Sequence, residues 1–203
     1  WNHNKKLFDP LLLSGFKRFI LLDADVIFFN EPKGIKEWVI SGKKITLHMS
    51  YTDDFVENEN RWGLLTVKIL SKLWNSAITP SFNSGIVCSF TDLIRLEIIE
   101  KYVEKLYFFS LERTWLCDQF ILSLLFSELR NTGKRTIVKR LNPLKYCVLT
   151  DLRMREVLWD KTCIHYHSGY KNHHLYYDGI KLLTRTRLFV PRFSPFLTKF
   201  IHV

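Results

Sequence analysis

Apolar residues along this chain gather in short runs, and polar clusters separate them. Leu7 to Ser14 has apolar positions on several sides and stops at Gly15, which predicts a short helix. Phe16 to Leu22 is apolar apart from Lys17 and Arg18 and ends on an acidic residue, the pattern of a buried parallel strand. Apolar character resumes from Val26 to Phe29 and breaks at Asn30-Glu31-Pro32. Ile35 to Ile40 predicts a helix, Ser41-Gly42 a turn, and Lys44 to Met49 a strand. The acidic stretch 50–60 predicts a loop, and Ser81 to Phe90 reads as a strand around Gly85. Thr91 or Asp92 caps a predicted amphipathic helix with Leu93, Leu96, Ile99, Val103 and Leu106 at helical spacing. A further helix is expected from about Trp115 to Leu129, ended by Asn131-Thr132-Gly133, and short strands at Ile137-Val138 and Cys163 to His167.

Strands alternating with helices predict an α/β class, a mixed but mostly parallel sheet flanked by helices. The 203 residues suffice for one core, and no Pro-, Gly- or Ser-rich linker divides them. We therefore expect one domain over residues 1–180 and a tail over 181–203. No apolar run reaches the length of about eighteen residues that a membrane span needs, and no signal peptide is visible. The chain opens on Trp1-Asn2-His3 without an initiator Met, which suggests a fragment. Cys88, Cys117, Cys147 and Cys163 form no C-x-x-C pair and sit among apolar neighbours, so reduced core thiols in a cytoplasmic setting are expected. The net charge of +10 asks for an anionic partner (a nucleotide, a membrane face or nucleic acid) or a lysine-rich solvated surface. No nucleic-acid recognition motif supports the third partner.

Four constellations carry candidate chemistry. Asp23 and Asp25 close an apolar strand at its carboxyl end, where open α/β sheets bind ligands. On an extended backbone both carboxylates face one way and can share a hard divalent cation, which would neutralise a diphosphate leaving group. A turn aspartate followed by a helix cap is the plainer alternative. Asn83, Ser84 and Gly85 offer hydroxyl-reading side chains and a glycine that admits close backbone approach, or else a polar strand entry. Asp118 and Gln119 open the second long helix, where a carboxylate also favours the helix N-terminus. His165 and His167 share one face of an extended segment and either can complete a metal site with the aspartates. Lys171 follows the Gly169 turn and can reach phosphate oxygens.

In this order the four constellations resemble the family 8 retaining glycosyltransferases, the glycogenin and bacterial lipopolysaccharide galactosyltransferase type. The family pattern runs D-x-D, F-N-S-G, D-Q, then a late H-x-x-G-x-x-K. Here stand Asp23-Ala24-Asp25, Phe82-Asn83-Ser84-Gly85, Asp118-Gln119 and the segment from His165 to Lys171. The resemblance spans about Lys5 to Lys171. It implies a GT-A fold, a Mn²⁺ or Mg²⁺ ion and a nucleotide-sugar donor, UDP-linked by family habit, with Asp23, Asp25 and a late histidine as metal ligands. It further implies that Asn83 and Asp118 contact the sugar, that Gln119 lies beneath the anomeric carbon, and that Lys171 contacts the diphosphate. Two departures stand out. His165 lies four steps before Gly169 and His167 two, where the family has three. The family's nucleoside-binding strand and helix, upstream of D-x-D, have no counterpart in this sequence, so an N-terminally truncated domain is expected.

Arg185, Arg187, Arg192 and Lys199 interleave with Phe189, Phe193, Phe196 and Phe200. Such a tail suits peripheral contact with an anionic membrane bearing a lipid-linked acceptor, or a terminal segment packed on the domain. Two rival functions remain: a catalytically degenerate glycosyltransferase-like binding or scaffold domain, and a non-haem iron enzyme built on two histidines and a carboxylate.

Overall fold

The computed structural model describes residues 17–52, 81–108, 117–131, 137–150, 152–166 and 171–186, with Phe8, Pro10, Leu12 and Lys72 besides. The short helix expected over Leu7 to Ser14 and the loop expected over 50–60 fall largely outside them.

The apolar runs become strands in two sheets. In the first, β1 (Arg18–Leu22), β4 (Phe82–Phe90), β3 (Ile45–Ser50) and β5 (Ile137–Arg140) lie in that order. In the second, β2 (Val26–Phe28), β7 (Cys163–His165) and β6 (Tyr146–Val148) lie side by side. Among the described residues the expected α/β class forms, but not a mostly parallel sheet. β4 runs antiparallel to both β1 and β3, and β2 antiparallel to β7; β3–β5 and β6–β7 are the parallel pairs. A continuous apolar run records burial, not direction, so the Phe19–Leu22 run carried no information about its partner's sense. Nor is β1 buried throughout: Phe19 is buried while Ile20 and Leu22 are exposed.

All nine positions of β4 are buried, the mark of a central strand covered on both faces. The core cluster that holds its apolar side chains also takes in Trp38 of α1 (Lys33–Ile40), Ile99 and Tyr102 of α2 (Leu96–Phe108), and Phe120, Leu124 and Phe126 of α3 (Cys117–Asn131). Phe82 meets Phe126 at 5.8 Å between ring centroids, and Phe90 meets Trp38 at the same separation. Arg18 ties β1 to the end of α1. Its guanidinium lies over the Trp38 and Phe90 rings and donates to the carbonyls of Trp38 and Val39 at 3.2 and 3.0 Å. Orphan carbonyls of the helix C-terminus are thereby satisfied. Gly42, at φ +63°, makes the turn from α1 into β3 that Ser41-Gly42 predicts.

The helix expected directly after Thr91 or Asp92 starts later. Thr91–Leu93 is a 3-10 turn, and Ile94 is extended at φ −101° and ψ 106°, which seats its side chain in the core at 1% exposure. The structure adds elements beyond those expected, among them β6 and the kinked 3-10 segment Leu152–Asp160.

The chain divides into two compact units, Trp1–His165 and Tyr166–Val203. Within the second, Lys171–Leu175 is a π-helical turn leading into α4 (Tyr176–Arg185), which takes in the first residues of the segment read as a tail. Asp178 of α4 is fully buried and accepts a hydrogen bond from the Tyr166 hydroxyl at 2.8 Å.

Candidate metal and sugar site

β1 ends at Leu22, and the next residues cross from the first sheet to the second. The Asp23 N–H donates to the Gly85 carbonyl at 3.0 Å, extending the β1–β4 ladder by one bond. Ala24 and Asp25 then form a turn closed by Val26 N–H to the Asp23 carbonyl at 3.1 Å, and β2 begins. The D-x-D segment is therefore a turn between sheets and not the extended strand end that would aim both carboxylates by alternation. Convergence comes instead from β7. Val26 pairs with His165, so the last residue of β7 stands beside the turn. His165 Nε2 lies 3.4 Å from Asp23 Oδ2 and 3.2 Å from Asp25 Oδ1.

One ligand atom from each of Asp23, Asp25 and His165 can be chosen so that all lie within 4.8 Å of one another. Two carboxylates and an imidazole are a donor set suited to a divalent first-row cation. Asp25 and His165 are 7% and 4% exposed, so bulk water screens charge there only weakly. On burial, donor chemistry and spacing the residues fit a divalent cation. His167 and Gly169 lie outside the described residues, so His165 is the late histidine whose placement beside the aspartates is seen.

The F-N-S-G segment reaches the same place through an irregularity. His48 pairs with Val87 and its neighbour Met49 with Asn83, so Ser84, Gly85 and Ile86 have no counterpart on β3. Bulges of this sort re-aim side chains next to functional sites. Here Asn83 Oδ1 lies 2.9 Å from His165 Nδ1 and accepts the Gly85 N–H at 2.9 Å. Glycine at 85 is a steric requirement, since a Cβ there would sit 2.5 Å from His165 Nδ1 and 2.8 Å from Asn83 Oδ1. The Ser84 hydroxyl donates to Asp118 Oδ2 at 3.2 Å, joining the bulge to the first turn of α3. Asp118 and Gln119 are both buried there. Gln119 Oε1 and Asn83 Nδ2 are buried without a hydrogen-bond partner among the described residues, the condition of groups left for a ligand.

Asp23, Asp25, Asn83, Ser84, Gly85, Asp118 and His165 are thus linked by contacts within the first unit, and Gln119 follows Asp118 in α3. Lys171 opens the π-helical turn of the second. The contact of Asn83 with His165 spans 82 residues of sequence and leaves no sequence signal, because no local spacing relates the two positions.

No protein-family model matches this chain, and no curated protein matches it by sequence. Solved structures do. The chain is similar to the apo structure of WbbM, a bifunctional glycosyltransferase, with a TM-score of 0.50 and 15% identity over 83% of this chain. It spans about a third of that protein, 32% of its length. A glycosyltransferase involved in glycosylation of the major capsid of PBCV-1 matches with a TM-score of 0.47 and 16% identity, over 87% of this chain and 78% of that one. At such identities the likeness is one of fold: the chain has a mixed α/β, GT-A-like fold.

Proposed function

We propose that this chain carries the metal end of a glycosyltransferase site, moving a sugar from a nucleotide-sugar, UDP-linked in the simplest case, to a glycan or glycolipid acceptor with retention at the anomeric carbon. The carrying observation is the convergence of Asp23, Asp25 and His165 from the β1–β2 turn and β7. A Mn²⁺ or Mg²⁺ ion held there would supply positive charge to the diphosphate leaving group. Asp118, fixed by Ser84, and Asn83 are buried polar groups suited to orienting sugar hydroxyls. Gln119 keeps an amide oxygen free of hydrogen bonds within the described residues. An electron-rich atom of this kind suits the positive charge that develops at an anomeric carbon. The order of motifs that resembles the family 8 retaining enzymes supports retention.

Cys88 and Cys163 are buried thiols, and burial pushes Cys88 up to about 12 and Cys163 upward as well. Both stay protonated and unreactive at neutral pH, and their standing as free thiols supports the cytoplasmic reading. No helix among the described residues is long and apolar enough to cross a membrane. The basic aromatic segment 181–203 supports peripheral membrane contact as the route to a lipid-linked acceptor.

The test is turnover of UDP-sugars by the full-length protein with and without Mn²⁺. Transfer or hydrolysis should require the ion, and Asp25→Asn should lower the rate by about a hundredfold or more, the scale of losing a charge-stabilising group. Equal rates for wild type and variant would remove the metal from the mechanism. Binding of UDP and Mn²⁺ without any turnover would favour the degenerate binding domain instead.

A further inference from the structure

Asn83 uses up its acceptor atom inside the protein. Oδ1 takes the Gly85 N–H at 2.9 Å, and a backbone N–H can only donate, so this end of the carboxamide is the oxygen. The same oxygen lies 2.9 Å from His165 Nδ1. An oxygen without a hydrogen needs one on its partner, so Nδ1 carries a proton whether the ring is neutral or charged. Nε2 is then the one ring nitrogen able to give a lone pair, and it is the nitrogen beside Asp23 and Asp25.

We infer that Asn83 is a positioning residue whose side-chain oxygen holds His165 in the Nδ1–H form, presenting Nε2 to a cation shared with Asp23 and Asp25. The cation rests on the function proposed above; the tautomer rests on the hydrogen bonds alone. This assigns Asn83 a task besides the sugar contact implied by the resemblance, and it limits that contact. With Oδ1 taken by two donors, the end left for a ligand is Nδ2, which has two hydrogens and no partner among the described residues. Asn83 therefore meets a bound donor only by donating, to an acceptor oxygen of a hydroxyl or a phosphate. Gly85 belongs to the same device, because it supplies the N–H that orients the carboxamide and leaves the room in which the imidazole lies.

Two variants and two measurements test this on the full-length protein. Asn83→Leu keeps the volume and loses the acceptor; Asn83→Asp keeps an acceptor for both donors. Mn²⁺ binding without nucleotide, followed by the electron paramagnetic resonance signal of free Mn²⁺, should weaken by about 10- to 100-fold in Asn83→Leu, the usual cost of losing the group that orients a ligating histidine. Asn83→Asp should stay within about threefold of wild type or bind more tightly, since its carboxylate preserves the bond to Nδ1–H. Long-range ¹⁵N–¹H NMR of the metal-free protein at alkaline pH should show His165 protonated at Nδ1 in wild type and Asn83→Asp, and lose that preference in Asn83→Leu. The Nε2–H form in wild type, or an unchanged Nδ1–H form together with unchanged Mn²⁺ affinity in Asn83→Leu, overturns the assignment. Failure of wild type to bind Mn²⁺ would overturn the metal reading, and the NMR comparison would still decide whether Asn83 sets the tautomer.

Discussion

His48 and His165 are buried to the same depth, at 5% and 4% exposure, on strands that both lie against the N-S-G bulge of β4. Their surroundings differ. His48 hydrogen-bonds through Nδ1 to the Met49 carbonyl at 2.7 Å and stacks on Phe82 at 4.8 Å between ring centroids. Burial, the largest cause, pushes its pKa down from the ordinary 6.5 to about 4, with the Arg140 charge adding to the fall. It is a neutral core ring. His165 has a side-chain acceptor on one nitrogen and two carboxylates beside the other.

Burial by itself therefore does not distinguish a site from a core. What does is the company each nitrogen keeps. His48 spends its polar contact on the neighbouring backbone, whereas both nitrogens of His165 face side chains from distant parts of the sequence.

The largest expected effect breaks the pair apart. His165→Ala should weaken Mn²⁺ binding by about a thousandfold, as removal of one of three ligands from a divalent site would. His48→Phe, which keeps the stacked ring, should bind Mn²⁺ as wild type does. Titration with Mn²⁺ reads both, and equal losses in the two variants would mean that either histidine acts only through the fold.

A smaller effect sharpens the contrast from the side of His48. Its folded pKa lies below the unfolded value, so the unfolded chain binds the extra proton between pH 6.5 and about 4. Stability is fully present above pH 6.5 and is lost as pH falls toward 4, by on the order of 3 kcal/mol for a shift of this size. His48→Phe should remove that part of the acid dependence. Urea unfolding of both proteins across this pH window measures it, and identical slopes would show that His48 is not the group responsible.

Much of this was legible in the residues. The run before Asp23, the turn at Ser41-Gly42, the strand around Gly85 and the helices near Leu96 and Cys117 follow from apolar spacing and punctuation. Strand direction was not legible, because the ladder of β4 with β1 and β3 joins segments far apart in sequence. The short strand Tyr146–Val148 lies in an apolar run that continues to Leu149, too short for periodicity to mark it as a strand. For the candidate site, residue types and their order pointed to Asp23, Asp25 and His165, which converge, and to Asn83 and Asp118, which lie in contact with that group or with the bulge beside it. How they meet depends on a turn between sheets and a three-residue bulge, and neither leaves a periodic trace. His48 shows the converse: a histidine on an apolar strand looks like many others until its neighbours are known.

The smallest predicted effect asks how tightly His165 is held. Gly85 adopts no left-handed backbone conformation, so an alanine there is not strained through φ. Its cost comes from contact, with the added Cβ placed 2.5 Å from His165 Nδ1 and 2.8 Å from His165 Cγ. Both are atoms near the root of a buried ring and not the far end of a flexible side chain, so relief requires the imidazole or the bulge to move. A displacement of several tenths of an ångström loosens the Asn83 bond and draws Nε2 away from the aspartates. Gly85→Ala should therefore weaken Mn²⁺ binding by about tenfold, at the low end for disturbing the group that orients a ligand. Stability should fall by about 1–3 kcal/mol, the usual cost of overpacking. His48 lies on the other strand of the bulge, so its acid-dependent slope should persist in this variant. Mn²⁺ titration and pH-resolved urea unfolding of Gly85→Ala read the two together, and wild-type affinity would show that His165 has more room than its contacts suggest.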